Sequence, residues 1–395
     1  MMKFLAHLIC FCIYPFSFLF PRDKKKWAFG SFRGAFNDNA KYLFIHMSEH
    51  MPEIEVVWLS VSKSTVAEIR RKGAKAYHVL SPKGIWFALT SKYWFFNAYS
   101  SDIMFCFSGG ATLVNLWHGL PLKRIEFGIG SGPLAKRYVE QTFRERFNHP
   151  EVFVRPDFVL SASEMCTSVF ARSFRVNPEQ CLSFGYPRNE ILNWTEEKRK
   201  SFIRRYEPLA TRELIDDLGR YTKVYFYLPT WRDSKSDFMS SGFDFRALDA
   251  VMRENDALFL LKPHANTKID TQAFVGLTNL RLLAGTVDVY PILPYTDVLI
   301  TDYSSILYDY LLMENKDVIL YLFDYQEYEN ERSFNWPFDE MVIGRRAYDF
   351  AALLECLREM SPGLDEAKRQ ALLRKCWGES AMNACERIGL CFQQA

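Results

Sequence analysis

Short apolar runs alternate with amphipathic stretches along most of the chain. The first two runs, at 27–32 and 55–60, are followed by helical patterns at 39–51 and 64–72. This alternation is typical of parallel strands that are buried on both faces of a sheet by connecting helices. The remaining predicted strands are 76–80, 93–97, 113–117, 158–162, 182–186, 224–228, 258–261, 280–284, 298–301 and 318–323.

A polar stretch rich in Glu, Lys and Arg, at 189–220, separates two series of predicted strands. The chain, with 395 residues, is also too long for one ordinary core. We therefore predict an α/β fold with two doubly wound, Rossmann-like domains that face each other across a cleft. The expected boundaries are 1–22 for an N-terminal segment, 23–192 for the first domain and 193–395 for the second.

The N-terminal segment is unusually apolar. Residues 4–20 contain only His7, Ser17 and two cysteines besides apolar side chains, and a basic cluster follows at 22–26. The run is at the short limit for crossing a bilayer, and Pro15 is expected to kink or end a helix. A basic cluster after the apolar run does not fit a signal peptide. We expect the segment to lie in the inner face of the membrane, and a buried first element of the globular fold is the alternative.

Composition excludes several classes of protein. Hydrophobic residues make up 49% and charged residues 24% of the chain, which is typical of a folded globular protein. The net charge of +2 does not suggest a nucleic-acid partner. The nine cysteines are irregularly spaced without a CxxC pair, which indicates a reduced, cytoplasmic protein. His46 and His50 are four residues apart, but no third ligand accompanies them, so we infer no metal site.

The segment from 297 to 310 carries the clearest chemical signal. A buried strand at 298–301 runs into a polar turn, and Ser304 and Ser305 lie where a helix is expected to begin. The first turn of a helix has unpaired N–H groups and a partial positive charge, so two hydroxyls there favour phosphate binding. An ordinary serine N-cap is the alternative interpretation.

Other polar clusters also follow predicted strands. They contain two imidazoles and several cations at the same topological position, the carboxyl end of a strand. Cations and helix-start donors suit the oxygens of a diphosphate, and an imidazole suits proton transfer. The residues are His118, Arg188, Arg232, Lys262 and His264.

These clusters together resemble the CDP-glycerol glycerophosphotransferases, which build teichoic acids and related polyol-phosphate polymers. The likeness covers roughly residues 27–335, and it depends on the order of several motifs rather than on any single one. The motifs are GSF at 30–32, DNAKY at 38–42, WHGLPLK at 117–123, GYPRN at 185–189, PTWR at 229–232, KPH at 262–264 and ITDYSS at 300–305.

The resemblance implies a GT-B transferase that moves a polyol phosphate, with glycerol phosphate first, from a CDP-polyol to an acceptor hydroxyl and releases CMP. His118 is the implied base, and His264, Arg232, Ser304 and Ser305 are the implied ligands of the donor diphosphate. The expected substrate-binding set also includes Lys262, Asp302, Arg188 and Arg332. The implied partners are CDP-glycerol or CDP-ribitol and a lipid-linked or glycan acceptor at the cytoplasmic face of the cell membrane. No cofactor or required metal is implied, and magnesium stays open.

Some features depart from the family. After residue 328 the usual Arg-Gly and Pro-Gly segments are replaced by Glu331-Arg332-Ser333 and by NWPF at 335–338, so the loop around Arg332 is in doubt. The high Phe and Cys content points to a different bacterial lineage from the teichoic acid makers, so a capsule or other surface glycan that contains polyol phosphate is an alternative product. Two other classes stay open, namely a GT-B glycosyltransferase that uses a nucleotide sugar and a non-catalytic membrane scaffold. The sequence does not separate glycerol from ribitol, or single addition from polymerisation.

Overall fold

The computed structural model describes residues 2–230, 232, 239, 242–263, 267, 269–331, 333–359, 363–378 and 382–394. The chain forms two compact units. Unit 1 contains Met1–Leu120, Ile125–Glu190 and Cys376–Ala395, and unit 2 contains Pro121–Arg124 and Ile191–Lys375.

Unit 1 is built on a parallel sheet of seven strands in the order β3-β2-β1-β4-β5-β6-β7. The order reverses between β1 and β4, as in doubly wound folds, so a crevice opens beyond the carboxyl ends of these strands. The strands are β1 (Asp23–Phe29), β2 (Glu55–Ser60), β3 (Ala76–His78), β4 (Ser91–Phe96), β5 (Thr112–Asn115), β6 (Phe158–Ser161) and β7 (Cys181–Ser183).

Helices cover both faces of this sheet, as parallel strands require. Several begin at a serine or threonine whose side chain accepts a backbone N–H: Ser62, Ser81, Thr142 and Ser163. The helices before the boundary at Glu190 are α1 (Met2–Ser17), α2 (Asp38–His50), α3 (Lys63–Arg71), α4 (Pro82–Thr90), α5 (Ala135–Tyr138), α6 (Phe143–Asn148) and α7 (Glu164–Phe174).

Unit 2 repeats the plan with six parallel strands in the order β10-β9-β8-β11-β12-β13. Its central strands β9, β11 and β12 are buried along their whole length. The strands are β8 (Lys223–Tyr227), β9 (Ala257–Leu261), β10 (Leu280–Leu282), β11 (Val298–Thr301), β12 (Asp317–Tyr321) and β13 (Arg345–Ala347). The helices are α8 (Glu196–Tyr206), α9 (Leu209–Leu218), α10 (Phe245–Glu254), α11 (Ile306–Tyr310), α12 (Tyr325–Glu331), α13 (Phe338–Met341), α14 (Phe350–Arg358) and α15 (Glu366–Trp377), whose last residues lie beyond the boundary at Lys375.

The C-terminal helix α16 (Ala384–Gln393) belongs to unit 1. This differs from the predicted division, which placed all of 193–395 in the second domain. The reason is aromatic packing: Phe392 is buried against Trp27, Tyr93, Phe95 and Phe158, with ring centroids 5.1–6.4 Å apart. Gly389 allows α16 to approach α2, because a Cβ there would lie 2.9 Å from the sulfur of Met51.

The N-terminal helix α1 packs on unit 1 along one side. Tyr14 stacks on Phe105 with ring centroids 4.6 Å apart, and Phe11 stacks on Phe147 at 5.4 Å. After the helix, the Arg22 guanidinium donates to backbone carbonyls that include Ala88 (2.5 Å) and Phe107 (2.7 Å). The segment is therefore part of the globular unit, as the alternative interpretation predicted, although much of its other side is exposed.

None of the helices in the described residues combines the length and apolar character needed to cross a bilayer. Pro15 lies inside α1, which ends two residues later at Ser17.

The prediction of two doubly wound α/β units is confirmed, and every predicted strand is present within a few residues of its expected bounds. The sequence missed β13.

Candidate active site

A candidate donor-binding site lies at the carboxyl edge of the unit 2 sheet. Tyr227, the last residue of β8, pairs with Leu261 of β9 on one side and Ile300 of β11 on the other. The loops that follow these strands therefore leave the sheet side by side, at the point where the strand order reverses. Crevices at such switch points are where doubly wound sheets bind ligands.

Arg232 is the centre of a buried ion cluster at this edge. Its Nε donates to Asp324 Oδ2 (2.5 Å), and its Nη2 lies 2.9 Å from Asp302 Oδ2. Burial on its own lowers the pKa of Arg232, but the carboxylates of Asp302 and Asp324 outweigh that effect and raise it. The Arg232 side chain is only 3% exposed, so its charge is compensated by carboxylates inside unit 2.

Asp302 serves this cluster and the backbone together. Besides Arg232, its carboxylate accepts the N–H of Thr230 (3.1 Å) and of Tyr303 (2.6 Å). It therefore ties the loop after β8 to the loop after β11. The structure places Arg232 and Asp302 together, as predicted from their positions after strands, but it gives each an internal partner.

Lys262 differs from Arg232 because it has no ion pair or hydrogen bond to its ammonium group from any residue that the structure describes. It directly follows β9 and is half-buried. Burial lowers the pKa of Lys262, and the charge of Asp288 partly opposes this. A half-buried ammonium group in this position is suited to an anionic ligand, which would restore the lost solvation.

The hydroxyls at this edge are also weakly engaged. Ser305 is the residue before α11, but its side chain makes no capping hydrogen bond, and Ser304 Oγ accepts the N–H of Ile306 at 3.4 Å. The Ser304 contact is of the kind that a serine N-cap makes, so the N-cap interpretation stays open for Ser304, whereas Ser305 makes no such bond. Thr230 Oγ1 is shielded from solvent and finds no hydrogen-bond partner among the described parts of the chain. Three hydroxyls therefore accompany Lys262 at one edge of the sheet.

Two predicted site residues, His264 and Arg332, lie outside the described residues. Their expected roles stay predictions.

A candidate acceptor-binding site lies at the carboxyl edge of the unit 1 sheet, in the loop after β5. His118 is exposed there, and its Nδ1 is 3.1 Å from the carbonyl oxygen of Asn97, which follows β4. A carbonyl can only accept a hydrogen bond, so Nδ1 carries the proton, and in the neutral ring Nε2 is the basic nitrogen. This tautomer suits a general base.

The backbone of the His118 loop is held in an unusual conformation. Trp117 has φ of 52°, a region that a bulky side chain rarely adopts and that costs about 1–3 kcal/mol. Three polar contacts compensate: Asn115 Oδ1 accepts Trp117 N (2.9 Å), Asn39 Nδ2 donates to Trp117 O (2.9 Å), and Tyr186 donates to Gly119 O (3.0 Å). Backbone strain maintained in this way is common at functional sites.

Arg188 is buried in unit 1 rather than exposed to a ligand. Its Nη1 lies 2.6 Å from Asp38 Oδ1, and its backbone N–H donates to Asn39 Oδ1 (3.2 Å). The DNAKY and GYPRN motifs therefore meet in space, with Asn39 as the link between the Arg188 and Trp117 loops.

Sequence reasoning missed most of the residues that hold these loops. Four residues that hold the loops were not among the predicted site residues: Thr230, Asp324, Asn97 and Asn115. One signal could have found them, since each lies at or just after the carboxyl end of a strand. Their partners, however, come from distant parts of the chain; Arg232 and Asp324 are 92 positions apart.

Known proteins resemble this chain over most of its length. It is 27% identical over 348 residues to the teichoic acid glycerol-phosphate transferase of Staphylococcus aureus (strain NCTC 8325 / PS 47). The aligned region covers 86% of this chain and 84% of that protein. It is 26% identical to the teichoic acid poly(glycerol phosphate) polymerase of Bacillus subtilis (strain 168), covering 86% of this chain but only 44% of that larger protein.

Solved structures agree on the fold. A structure of the wall teichoic acid polymerase TagF matches with a TM-score of 0.72 and 22% identity, covering 94% of this chain and 89% of that one. The model of the CDP-glycerol:poly(glycerophosphate) glycerophosphotransferase family matches residues 12–389. The predicted resemblance is thus confirmed, and this chain is a member of that family of transferases.

Proposed function

We propose that this enzyme transfers glycerol phosphate from CDP-glycerol to a hydroxyl of a lipid-linked or glycan acceptor and releases CMP. The observation that carries the proposal is the carboxyl edge of the unit 2 sheet, where Lys262 and the hydroxyls of Thr230, Ser304 and Ser305 lack strong internal partners among the described residues. One cation and several hydroxyls are the groups that a diphosphate requires.

In the proposed reaction, the acceptor oxygen attacks the β-phosphorus of the donor. His118 Nε2 takes the acceptor's proton, a phosphodiester forms, and the bond from the β-phosphorus to the bridging oxygen breaks as CMP leaves. The protein forms no covalent bond to the substrates in this reaction, so positioning and charge neutralisation account for most of the rate enhancement.

The predicted site residues divide into two roles. Lys262, Ser304 and Ser305 bind the diphosphate, joined on the strength of the resemblance by His264 and Arg332. Arg232 and Asp302 hold the donor loops, because their charges compensate each other. Arg188 likewise supports the loop of unit 1 through Asp38.

We expect Lys262→Ala to weaken CDP-glycerol binding by about 10- to 100-fold, since a hydrogen bond to a charged group contributes about 1.5–3 kcal/mol. The double variant Ser304→Ala/Ser305→Ala should weaken it by a similar factor. Isothermal titration calorimetry measures both. Lys223→Ala is the matched control, because Lys223 begins β8 at the opposite edge of the same sheet. Unchanged affinity in the first two variants would place the donor elsewhere.

The reaction itself is tested by incubating the full chain with CDP-glycerol, CDP-ribitol and a panel of nucleotide sugars. Release of CMP from a CDP-polyol, with mass spectrometry of the extended acceptor, supports the proposal and identifies the polyol and the number of units added. Release of a nucleoside diphosphate from a sugar donor would favour the glycosyltransferase alternative, and no turnover with any donor would favour the scaffold.

We also propose that unit 1 contacts the cytoplasmic face of the cell membrane. Several exposed apolar side chains lie close together in the sequence at the end of α1 and just after it, and they include Phe16 (64% exposed), Phe18 (55%) and Leu19 (76%). Exposed Lys24 and Lys25 follow within a few residues. Large exposed apolar side chains next to cations are typical of surfaces that bind anionic lipid.

Phe16→Ser/Leu19→Ser should reduce sedimentation of the protein with vesicles that contain phosphatidylglycerol. The matched control is Leu209→Ser/Val275→Ser, which removes two apolar side chains of similar exposure (60% and 73%) from unit 2. Transfer to a water-soluble acceptor analogue should be equal in all variants. Equal sedimentation of both double variants and wild type would argue against this surface.

A further inference from the structure

The peptide bond between Asn97 and Ala98 connects His118 to a buried carboxylate. Its carbonyl oxygen is 3.1 Å from His118 Nδ1, and the N–H at its other end donates to Asp102 Oδ2 (2.9 Å). The N–H of Asn97 donates to the same carboxylate oxygen (3.0 Å). One planar amide group thus lies between the imidazole and the charge.

This amide is held rigidly. The Asn97 side chain donates to Ser31 Oγ (2.8 Å) and accepts the N–H of Ala40 (3.0 Å). On the other side, Asn115 Nδ2 donates to the Ala98 carbonyl (2.9 Å). Since each flanking group is already bonded, the Asn97 carbonyl has a fixed direction, and the imidazole ring that bonds to it is oriented in turn.

We propose that Asp102 is a positioning residue that acts on His118 through the 97–98 peptide, an inference that rests on the proposed base role of His118. A carboxylate that accepts an amide N–H polarises the amide and increases the negative charge on its carbonyl oxygen. That oxygen then binds the Nδ1 proton more strongly, which fixes the tautomer and stabilises the imidazolium formed when Nε2 takes a proton.

Asp102 is buried, and its burial determines the pH range in which its carboxylate is charged. The residue lies in the turn Ser100–Asp102 and is only 5% exposed. Burial raises the pKa of Asp102 to about 7; the N–H groups of Ala98, Asn97 and Tyr99 oppose this shift, and Asp38, itself paired with Arg188, adds to it. The carboxylate is therefore ionised above about pH 7, and this is the range in which it supports the base.

The first test measures the tautomer of His118 in the wild-type protein. Nitrogen-15 labelling of histidine in the full chain, with His118 assigned by comparison with His118→Asn, reports which ring nitrogen carries the proton. We expect the neutral Nδ1–H tautomer. Observation of the Nε2–H tautomer for neutral His118 would overturn the proposal, whether or not any transfer activity has been found.

The second test is Asp102→Asn, which removes the charge and keeps an oxygen that can accept the two N–H groups. At pH 8 we expect kcat to fall by about 10-fold or more with an unchanged KM for the donor, and the pKa of His118 to fall in the same spectra. The difference from wild type should shrink below about pH 7, where Asp102 of the wild type becomes protonated.

Asp157→Asn is the matched control, because the exposed Asp157 also accepts a backbone N–H, that of Leu113 at the amino end of β5 (2.7 Å). It should leave both kcat and the His118 spectrum unchanged. If Asp102→Asn transfers at the wild-type rate and its His118 has a wild-type pKa, the inference fails while the proposed function stands. If Asp102→Asn does not fold, the wild-type tautomer decides.

Discussion

Replacing His118 by alanine should lower kcat for transfer by about 10²–10⁴-fold, the usual contribution of a general base. The side chain is exposed at the carboxyl edge of unit 1, and its Nδ1 is bonded to Asn97. The variant therefore loses its basic Nε2 without leaving a cavity, so its stability should change little. The measurement is CMP release under saturating donor and acceptor, together with calorimetric titration of CDP-glycerol.

The affinity for CDP-glycerol should be nearly unchanged in His118→Ala, because the proposed donor contacts belong to unit 2. His50→Ala is the matched control: His50 is also exposed, and its Nδ1 is also bonded to a backbone carbonyl, that of His46 (3.0 Å). It should transfer at the wild-type rate. A parallel loss of donor affinity and turnover in His118→Ala would assign His118 to donor binding instead of proton transfer.

Replacing Arg232 by methionine should destabilise the protein by about 3–5 kcal/mol, because it leaves two carboxylates buried without their cation. Asp302 and Asp324 are 0% and 6% exposed, so water cannot replace the guanidinium. Methionine has a similar length and keeps much of the packing against the rings of Tyr303 and Tyr328. Chemical denaturation followed by tryptophan fluorescence measures the loss.

Arg220→Met is the control for this experiment. Its guanidinium lies 3.0 Å from Asp217, but the side chain is 79% exposed, and an exposed pair contributes about 0–1 kcal/mol. If Arg232→Met keeps wild-type stability but loses donor affinity, the guanidinium faces the donor, as the resemblance implied, and the ion cluster is not what holds the loops.

The fold was largely predictable because parallel strands are marked by local composition. Buried runs such as 258–261 and 298–301 contain only apolar residues or end in one threonine, so burial on both faces is visible in the sequence. The strand β13 reads Arg-Arg-Ala and gives no such signal, because it is short and lies at the edge of the sheet. Helix α16 has an ordinary amphipathic pattern, and nothing local indicates which sheet it covers.

The candidate site residues were selected from the sequence by residue type and position, and the sequence did not give their partners. The sequence singled out His118, Lys262 and the serine pair because they follow predicted strands, and ligands of doubly wound sheets bind beyond the carboxyl ends of the strands. Arg232 has the same type of position, yet its charge is neutralised by Asp302 and Asp324, which lie 70 and 92 positions later in the chain. Pairing over such distances is set by the fold, and one sequence gives no measure of it.

The return of α16 to unit 1 has a consequence for how the protein is made. Residues 191–375 are continuous and can complete their own sheet as soon as they are synthesised. The aromatic surface formed by Trp27, Tyr93, Phe95 and Phe158 acquires Phe392 only when the final helix emerges from the ribosome. Unit 1 therefore completes its packing only after all of unit 2 has been synthesised, and a chain that stops between residues 190 and 384 lacks the helix that brings Phe392 to this surface.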